Sequence, residues 1–182
     1  MTEIAALIER GVFKPVNFFS YFTIECNIAV FLTLILSAVA VAANENDRLG
    51  VLRGAVTVYI GVVGIGFSVL LAGIEDATLT AVPWDNVVLH YVVPVAATLD
   101  YLVDRPAHRL SFKKSFIWLL FPITYVIYSL TRGRLTGWYP YPFLNPGAHG
   151  PAAVAGTVAG LLLLGLGLIW TATKLSGPRA LA

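Results

Sequence analysis

Charge is scarce in this chain. Asp, Glu, Lys and Arg together make up 12% of its 182 residues, about half of the ~25% found in an ordinary soluble domain. A net charge of +2, with no basic run interleaved with aromatics, excludes a nucleic-acid-binding surface. Cysteine is rarer still: Cys26 is the only one, which excludes an internal disulfide and a metal site built on thiolates. The three histidines, His90, His108 and His149, show no ligand spacing, so no metal is expected. The glycine-rich "GVVGIGF" (61–67) lacks the fingerprint's third glycine, since Val69 stands where it would follow Gly64 and Gly66, and lacks a preceding strand, and so is not a dinucleotide fingerprint. No cofactor is expected. The first fourteen residues carry Glu3 and Glu9 and lack a continuous apolar core, unlike a secretory signal peptide.

What the chain has in their place is apolar length. Hydrophobic residues make up 58% of it. Nineteen uncharged residues separate Glu25 from Glu45, and twenty-one separate Arg53 from Glu75. Trp84 to Val103 is apolar with Asp85, His90 and Asp100 embedded; Ser115 to Thr131 adds seventeen uncharged residues and Pro151 to Thr173 twenty-three. A helix needs roughly 20 residues to cross a bilayer. These windows predict five spanning helices, near 16–43, 54–74, 83–103, 112–131 and 151–174. The expected fold is an all-α, polytopic transmembrane bundle: an amphipathic segment over 1–15, one helical domain over 16–175, and a tail over 176–182. Ile4, Leu7, Ile8 and Val12 fall at helical spacing, which suits a short helix lying on the membrane surface. Gly156-x-x-x-Gly160 and the cluster Gly61, Gly64, Gly66 would permit close approach between helices.

Lys and Arg set the expected orientation. One side receives Arg10, Lys14, Arg132 and Arg134, four in all; the other receives the remaining eight, four of them in the 104–114 loop. The second side, with the C-terminus, is expected to be cytoplasmic and the membrane to be the plasma (inner) membrane.

Polar groups inside a membrane are costly and mark functional positions. Thr23 and Glu25 in "SYFTIECN" and His90 in "DNVVLHYVVP" are such groups. At ~1.5 Å per residue, Thr23 lies about 10 Å below a helix start near Val16, and His90 about 10 Å below Pro83. Both helices start on the same expected side, so the two groups share a depth. A hydroxyl and an imidazole at one level supply a nucleophile and its general base. Asn27 and Ser20 share the Thr23 face, and Asn86 shares that of His90. Either asparagine would serve to stabilise an oxyanion or to orient the imidazole. Glu25 is about 200° around the helix from Thr23 and points elsewhere. Against this stand plainer readings: a hydroxyl bonded to its own preceding turn at Phe19, a structurally paired histidine, and an interfacial aromatic belt.

The stretch "TGWYPYPFLNPG" (136–147) packs four aromatics and three prolines into twelve residues. Proline fixes φ and removes backbone donors, so a rigid loop is expected in place of a regular helix. Taken jointly, "YFT" on one helix, a histidine followed four residues later by Pro94 on another, and Trp138 ahead of "YPFL" resemble the androgen-induced-protein family, and its bacterial six-helix relatives most closely. The resemblance covers roughly Asn17 to Leu175. It implies a membrane hydrolase of lipid esters, such as fatty-acid esters of hydroxy fatty acids, with Thr23 as nucleophile and His90 as the essential histidine. It makes the loop a rigid outer lid, with Trp138, Tyr139, Tyr141 and Phe143 lining an acyl-chain entrance. The family has a further helix ahead of the threonine helix, where this chain has only the short amphipathic stretch. That leaves one wall of the pocket open, or filled by a partner such as a second copy of the chain.

Three functions therefore stand at the level of sequence: a lipid-ester hydrolase acting on membrane lipids, a proton-coupled transporter using Glu25 and His90, and a non-catalytic lipid-binding protein. Against transport, the five helices show no internal repeat.

Overall fold

The computed structural model describes residues 3–44, 49–72 and 82–177. Among them the chain is all helix and turn, without a strand. A short α1 (Glu3–Glu9) is followed by α2 (Pro15–Phe18), which Pro15 opens at a position where its missing N–H costs nothing. Then come α3 (Phe22–Ala42) and α4 (Gly50–Leu70). The third long rod is composite: α5 (Pro83–Val87), a π-helical turn (Val88–Val92) and α6 (Val93–Val103). The fourth comprises α7 (Phe112–Ser115), a 3₁₀ turn (Phe116–Leu119) and α8 (Leu120–Thr136), which stops at Gly137 in the left-handed conformation with φ 73°. A 3₁₀ turn (Pro142–Leu144), α9 (Pro146–His149) and α10 (Pro151–Leu175) complete the chain. Five of these rods are long and apolar enough to cross a membrane: Phe22–Ala42, Gly50–Leu70, Trp84–Val103, Phe112–Thr136 and Pro151–Leu175.

Three boundaries differ from the expected ones, each for a tertiary reason. The first spanning helix does not run from residue 16. The chain is extended at Tyr21 (φ −82°, ψ 126°) and the helix starts at Phe22. The Ser20 carbonyl, which a continuous helix would offer to the fourth residue on, instead accepts the Tyr125 hydroxyl of α8 at 3.0 Å. Thr23 is therefore in the first turn of its helix, not two turns down it. The second helix begins about a turn early because Arg53 is inside the bundle. Its guanidinium reaches Asp100 at 2.9 Å and Asp104 at 2.6 Å, tying α4 to the end of the third rod. The fourth continues to Thr136 because Arg132 has protein partners, described below.

The helix α4 is the centre of the bundle. Of its apolar window 56% is buried, against 17–22% for the other four spans, and it packs on α3, α6 and α10. Its neighbours keep outward faces that are apolar and bare, such as Phe31, Val95 and Leu163, as a lipid-facing surface requires. One core cluster joins Cys26, Ile60 and Val63 to Tyr125, Tyr141 and Leu144 at the aromatic-loop end. A second gathers Tyr101, Trp118 and Ile169. Close packing through small residues occurs at Gly64, where a Cβ would stand 3.0 Å from Pro94 and 3.3 Å from the His90 carbonyl oxygen. It does not occur at Gly156 or Gly160, where a Cβ would meet nothing within 4 Å, so that motif packs against no helix among the described residues.

Candidate active site

The start of α3 lacks a side-chain cap of its own: Tyr21 occupies the capping position and makes no such bond. The missing partner comes from far along the chain. The Thr23 N–H donates to the Tyr141 hydroxyl at 3.1 Å, and the Thr23 Oγ1 lies 3.1 Å from the same oxygen. On its other side Oγ1 lies 3.2 Å from His90 Nε2. His90 Nδ1 stands 3.0 Å from the backbone oxygen of Asn86. A carbonyl only accepts, so Nδ1 carries the proton and the Nε2 lone pair faces Thr23. One assignment then satisfies the whole chain of bonds. Thr23 N–H donates to Tyr141, Tyr141 O–H to Thr23 Oγ1, Thr23 O–H to His90 Nε2, and His90 Nδ1–H to Asn86. Thr23 and His90 are 6% and 3% exposed, so water competes little for these bonds.

Local sequence places His90. Pro94 has no N–H to return to the carbonyl four residues back, and the helix takes a wider π turn over Val88–Val92, a feature frequent at functional sites. Phe67 of α4 stacks on the imidazole with centroids 4.0 Å apart, fixing the ring plane.

The other expected site residues fall into distinct places. Asn27 does share the Thr23 side: its Nδ2 donates to the Thr23 carbonyl at 2.8 Å and to the Leu89 carbonyl at 3.4 Å, bracing α3 against the turn that carries His90. That nitrogen is thereby spent. Asn86 orients the imidazole, through its backbone carbonyl. The side-chain oxygens of both asparagines are buried without a hydrogen-bond partner among the described residues. Ser20 lies ahead of the helix, within reach of the Tyr128 hydroxyl at 2.7 Å. Glu25 is half-buried and lines neither cavity at the site. The Phe19 carbonyl is not what Thr23 bonds; its hydroxyl meets His90 and Tyr141.

The aromatic loop packs down onto this centre. Tyr141 stacks on Phe143 at 5.2 Å and meets Tyr21 edge-on at 5.6 Å. Trp138 also meets Tyr21 edge-on, at 5.8 Å. Tyr139 fills the space over Gly133, where any side chain would collide with its ring. Arg132 pins the assembly: its guanidinium lies 4.3 Å from the Trp138 ring centre and donates to Asn17 at 2.6 Å and Ser20 at 3.1 Å. Burial raises the Tyr141 hydroxyl pKa above the usual phenol range, so this group stays a neutral donor.

Two cavities meet at Thr23 and Tyr141. One is a narrow apolar slot of about 90 Å³ that runs from Thr23 and Phe143 between α4, α8 and α10 as far as Trp118 and Ile169. The other is a vestibule of about 330 Å³, more polar than the slot, that borders Thr23 and His90 and is flanked by Glu3, Arg10, Lys14 and Trp138. Among the described residues no three His, Cys, Asp or Glu side chains gather to hold a metal ion.

Sequence reasoning missed the Tyr141 hydroxyl as a direct partner of Thr23, Arg132 as the anchor of the loop through Trp138, and Phe67 as the ring stacked on His90. Proline on each side of Tyr141 signalled a fixed backbone there, but not the direction of the hydroxyl. Comparison with protein-family models, with curated proteins and with solved structures finds no match to this chain.

Proposed function

We propose that this protein is an integral membrane hydrolase of lipid esters, with Thr23 as nucleophile and His90 as general base. The observation that carries the reading is the position of the Thr23–His90 pair, with Oγ1 3.2 Å from Nε2, where an apolar slot meets a more polar vestibule. An amphipathic ester divides in the same way. Its acyl chain suits the slot, its polar remainder suits the vestibule, and its carbonyl then lies at Oγ1. Lys14 at the vestibule, where Arg10 and Lys14 outnumber Glu3, favours a substrate that ends in a carboxylate, as a fatty-acid ester of a hydroxy fatty acid does. The sequence resemblance to the androgen-induced-protein family supports the same substrate class and the same two residues.

In this reading His90 Nε2 takes the hydroxyl proton as Oγ1 attacks the carbonyl carbon, and returns it to the departing alkoxide. Water then attacks the acyl-threonine, again with His90 as base. Asn86 holds the imidazole tautomer and Asn27 holds the two helices in register. Trp138, Tyr141 and Phe143 form the roof over the substrate, while Tyr139, which lines neither cavity, packs against Gly133. The membrane is the plasma (inner) membrane, with the vestibule outward and the C-terminus cytoplasmic.

The test is activity-based labelling of the purified protein with an acyl-directed fluorophosphonate. The expected result is a single adduct, mapped to Thr23 and lost in Thr23→Ala. A wild-type protein that hydrolyses no ester and takes up no label is a lipid-binding protein in place of an enzyme.

A further inference from the structure

We propose that Tyr141 is a third catalytic residue, which donates its hydroxyl proton as a hydrogen bond to the oxyanion formed when Thr23 attacks. The proposal deepens the hydrolase reading and depends on it.

A nucleophile and base alone leave the developing charge on the carbonyl oxygen without a partner. In an apolar bundle that charge is expensive, and preorganised donors are worth most there. Asn27 does not supply the donor, since its Nδ2 is held by two carbonyls. Two donors do face the reacting atom: the Thr23 N–H and the Tyr141 O–H, mutually bonded at 3.1 Å, with the phenol oxygen also 3.1 Å from Oγ1. The oxyanion forms on the carbon that Oγ1 attacks, only two bonds from Oγ1. Both donors are thus already gathered around the place where charge appears.

The resting bonds are easily exchanged. Before attack, Tyr141 O–H points at the Thr23 oxygen, and Thr23 N–H points at the Tyr141 oxygen. When the ester carbonyl enters, rotation about the phenol C–O bond turns the Tyr141 proton from Oγ1 to the carbonyl oxygen, freeing the Oγ1 lone pair. Oγ1 then forms its bond to carbon, the carbonyl π pair moves to oxygen, and the Thr23 proton passes to His90 Nε2. Tyr141 keeps its own proton throughout. The tetrahedral adduct collapses, the π bond re-forms, and the alkoxide leaves with the proton from His90. The same donor serves the second adduct, formed when water attacks the acyl-threonine. The ring itself is held by Phe143 and Tyr21, so the hydroxyl is aimed without further ordering.

Tyr141→Phe removes the hydroxyl and keeps the stacked ring. Loss of one oxyanion donor typically costs about 10²–10³ in kcat, and that fall is expected here in both acylation and deacylation, with KM changed less than threefold. A purely structural role as the cap of α3 would instead lower thermal stability and raise KM. If Tyr141→Phe is not recovered folded, 3-fluorotyrosine at position 141 provides the second measurement. The more acidic phenol should change kcat at constant KM, while the ring packing is kept. A kcat for Tyr141→Phe within threefold of wild type, or no response to fluorination, overturns the proposal. If Thr23→Ala is inactive while Tyr141→Phe is wild-type, the inference about Tyr141 fails and the hydrolase reading survives. If Thr23→Ala retains full activity, the hydrolase reading itself has failed.

Discussion

Thr23 and His90 stand 67 residues apart in the chain, and the fold brings Oγ1 and Nε2 to 3.2 Å. The imidazole offers Thr23 a lone pair because its other nitrogen is committed to the Asn86 carbonyl. Among the described residues the Thr23 hydroxyl does not bond its own helix turn, and the His90 ring does not pair with a carboxylate.

A nucleophile and its base act as one unit, so their losses should not add. Thr23→Ala and His90→Ala are each expected to remove nearly all ester hydrolysis, with the double variant little worse than either. Thr23→Ser keeps the hydroxyl and should retain measurable activity, reduced by its freer χ1. The base must be neutral to accept the threonine proton. Activity is therefore present above the His90 titration and lost as pH falls through it, which a pH profile of kcat/KM checks. Full hydrolysis by Thr23→Ala would move the protein to the lipid-binding class.

The length of the apolar slot should set acyl preference. Gly165 lines it, and a Cβ there would have only ordinary contact with Leu119, at 3.6 Å. Gly165→Leu is expected to fill the slot without disturbing Thr23. Burying one CH₂ contributes ~0.8 kcal/mol, so excluding two of them should lower kcat/KM on long-chain esters about tenfold or more. Short-chain esters should be hydrolysed at the wild-type rate. An unchanged chain-length profile would place the acyl chain somewhere else.

Arg132 should act on substrate binding through the loop. It joins Trp138 to Asn17 and Ser20, and a hydrogen bond to a charged group typically contributes about 1.5–3 kcal/mol. Arg132→Ala is expected to raise KM several-fold and lower the melting temperature while leaving kcat within about threefold. Arg132→Lys should not rescue it, because an ammonium has neither the fork nor the flat face. Wild-type KM and melting temperature in Arg132→Ala would show that the loop holds without this anchor.

The orientation is checked with single cysteines in a Cys26→Ser background. His149 and His108 are both exposed, on the loop side and on the 104–114 side. An impermeant thiol reagent applied to intact cells is expected to label His149→Cys and spare His108→Cys. The reverse pattern would invert the protein and put the vestibule in the cytoplasm.

The class of this protein was written in local sequence. A bilayer forces every spanning segment to satisfy its backbone internally and to be apolar over about 20 residues, so helices announce themselves one at a time. Phe22–Ala42, Gly50–Leu70 and Pro151–Leu175 could be found without knowing what they touch. Thr23 and His90 stood out for the complementary reason, as polar groups where such groups are costly. Pro94, four residues after His90, fits the π turn seen there, although its register was not legible.

What remained belongs to contacts between distant segments. The helix break ahead of Phe22 exists because Tyr125 takes the Ser20 carbonyl, and no pattern around residue 20 encodes a partner 105 residues away. Arg53 read as a loop charge until Asp100 and Asp104 drew it into the bundle. Tyr141 read as part of an aromatic roof, because composition reveals a ring but not where its hydroxyl points. Only the folding of the loop onto the start of α3 put that hydroxyl 3.1 Å from Thr23, 118 residues earlier in the chain. Hydrophobic runs are properties of a segment and can be read along it; a hydrogen-bonded cluster is a property of several segments meeting, and comes into being only when they do.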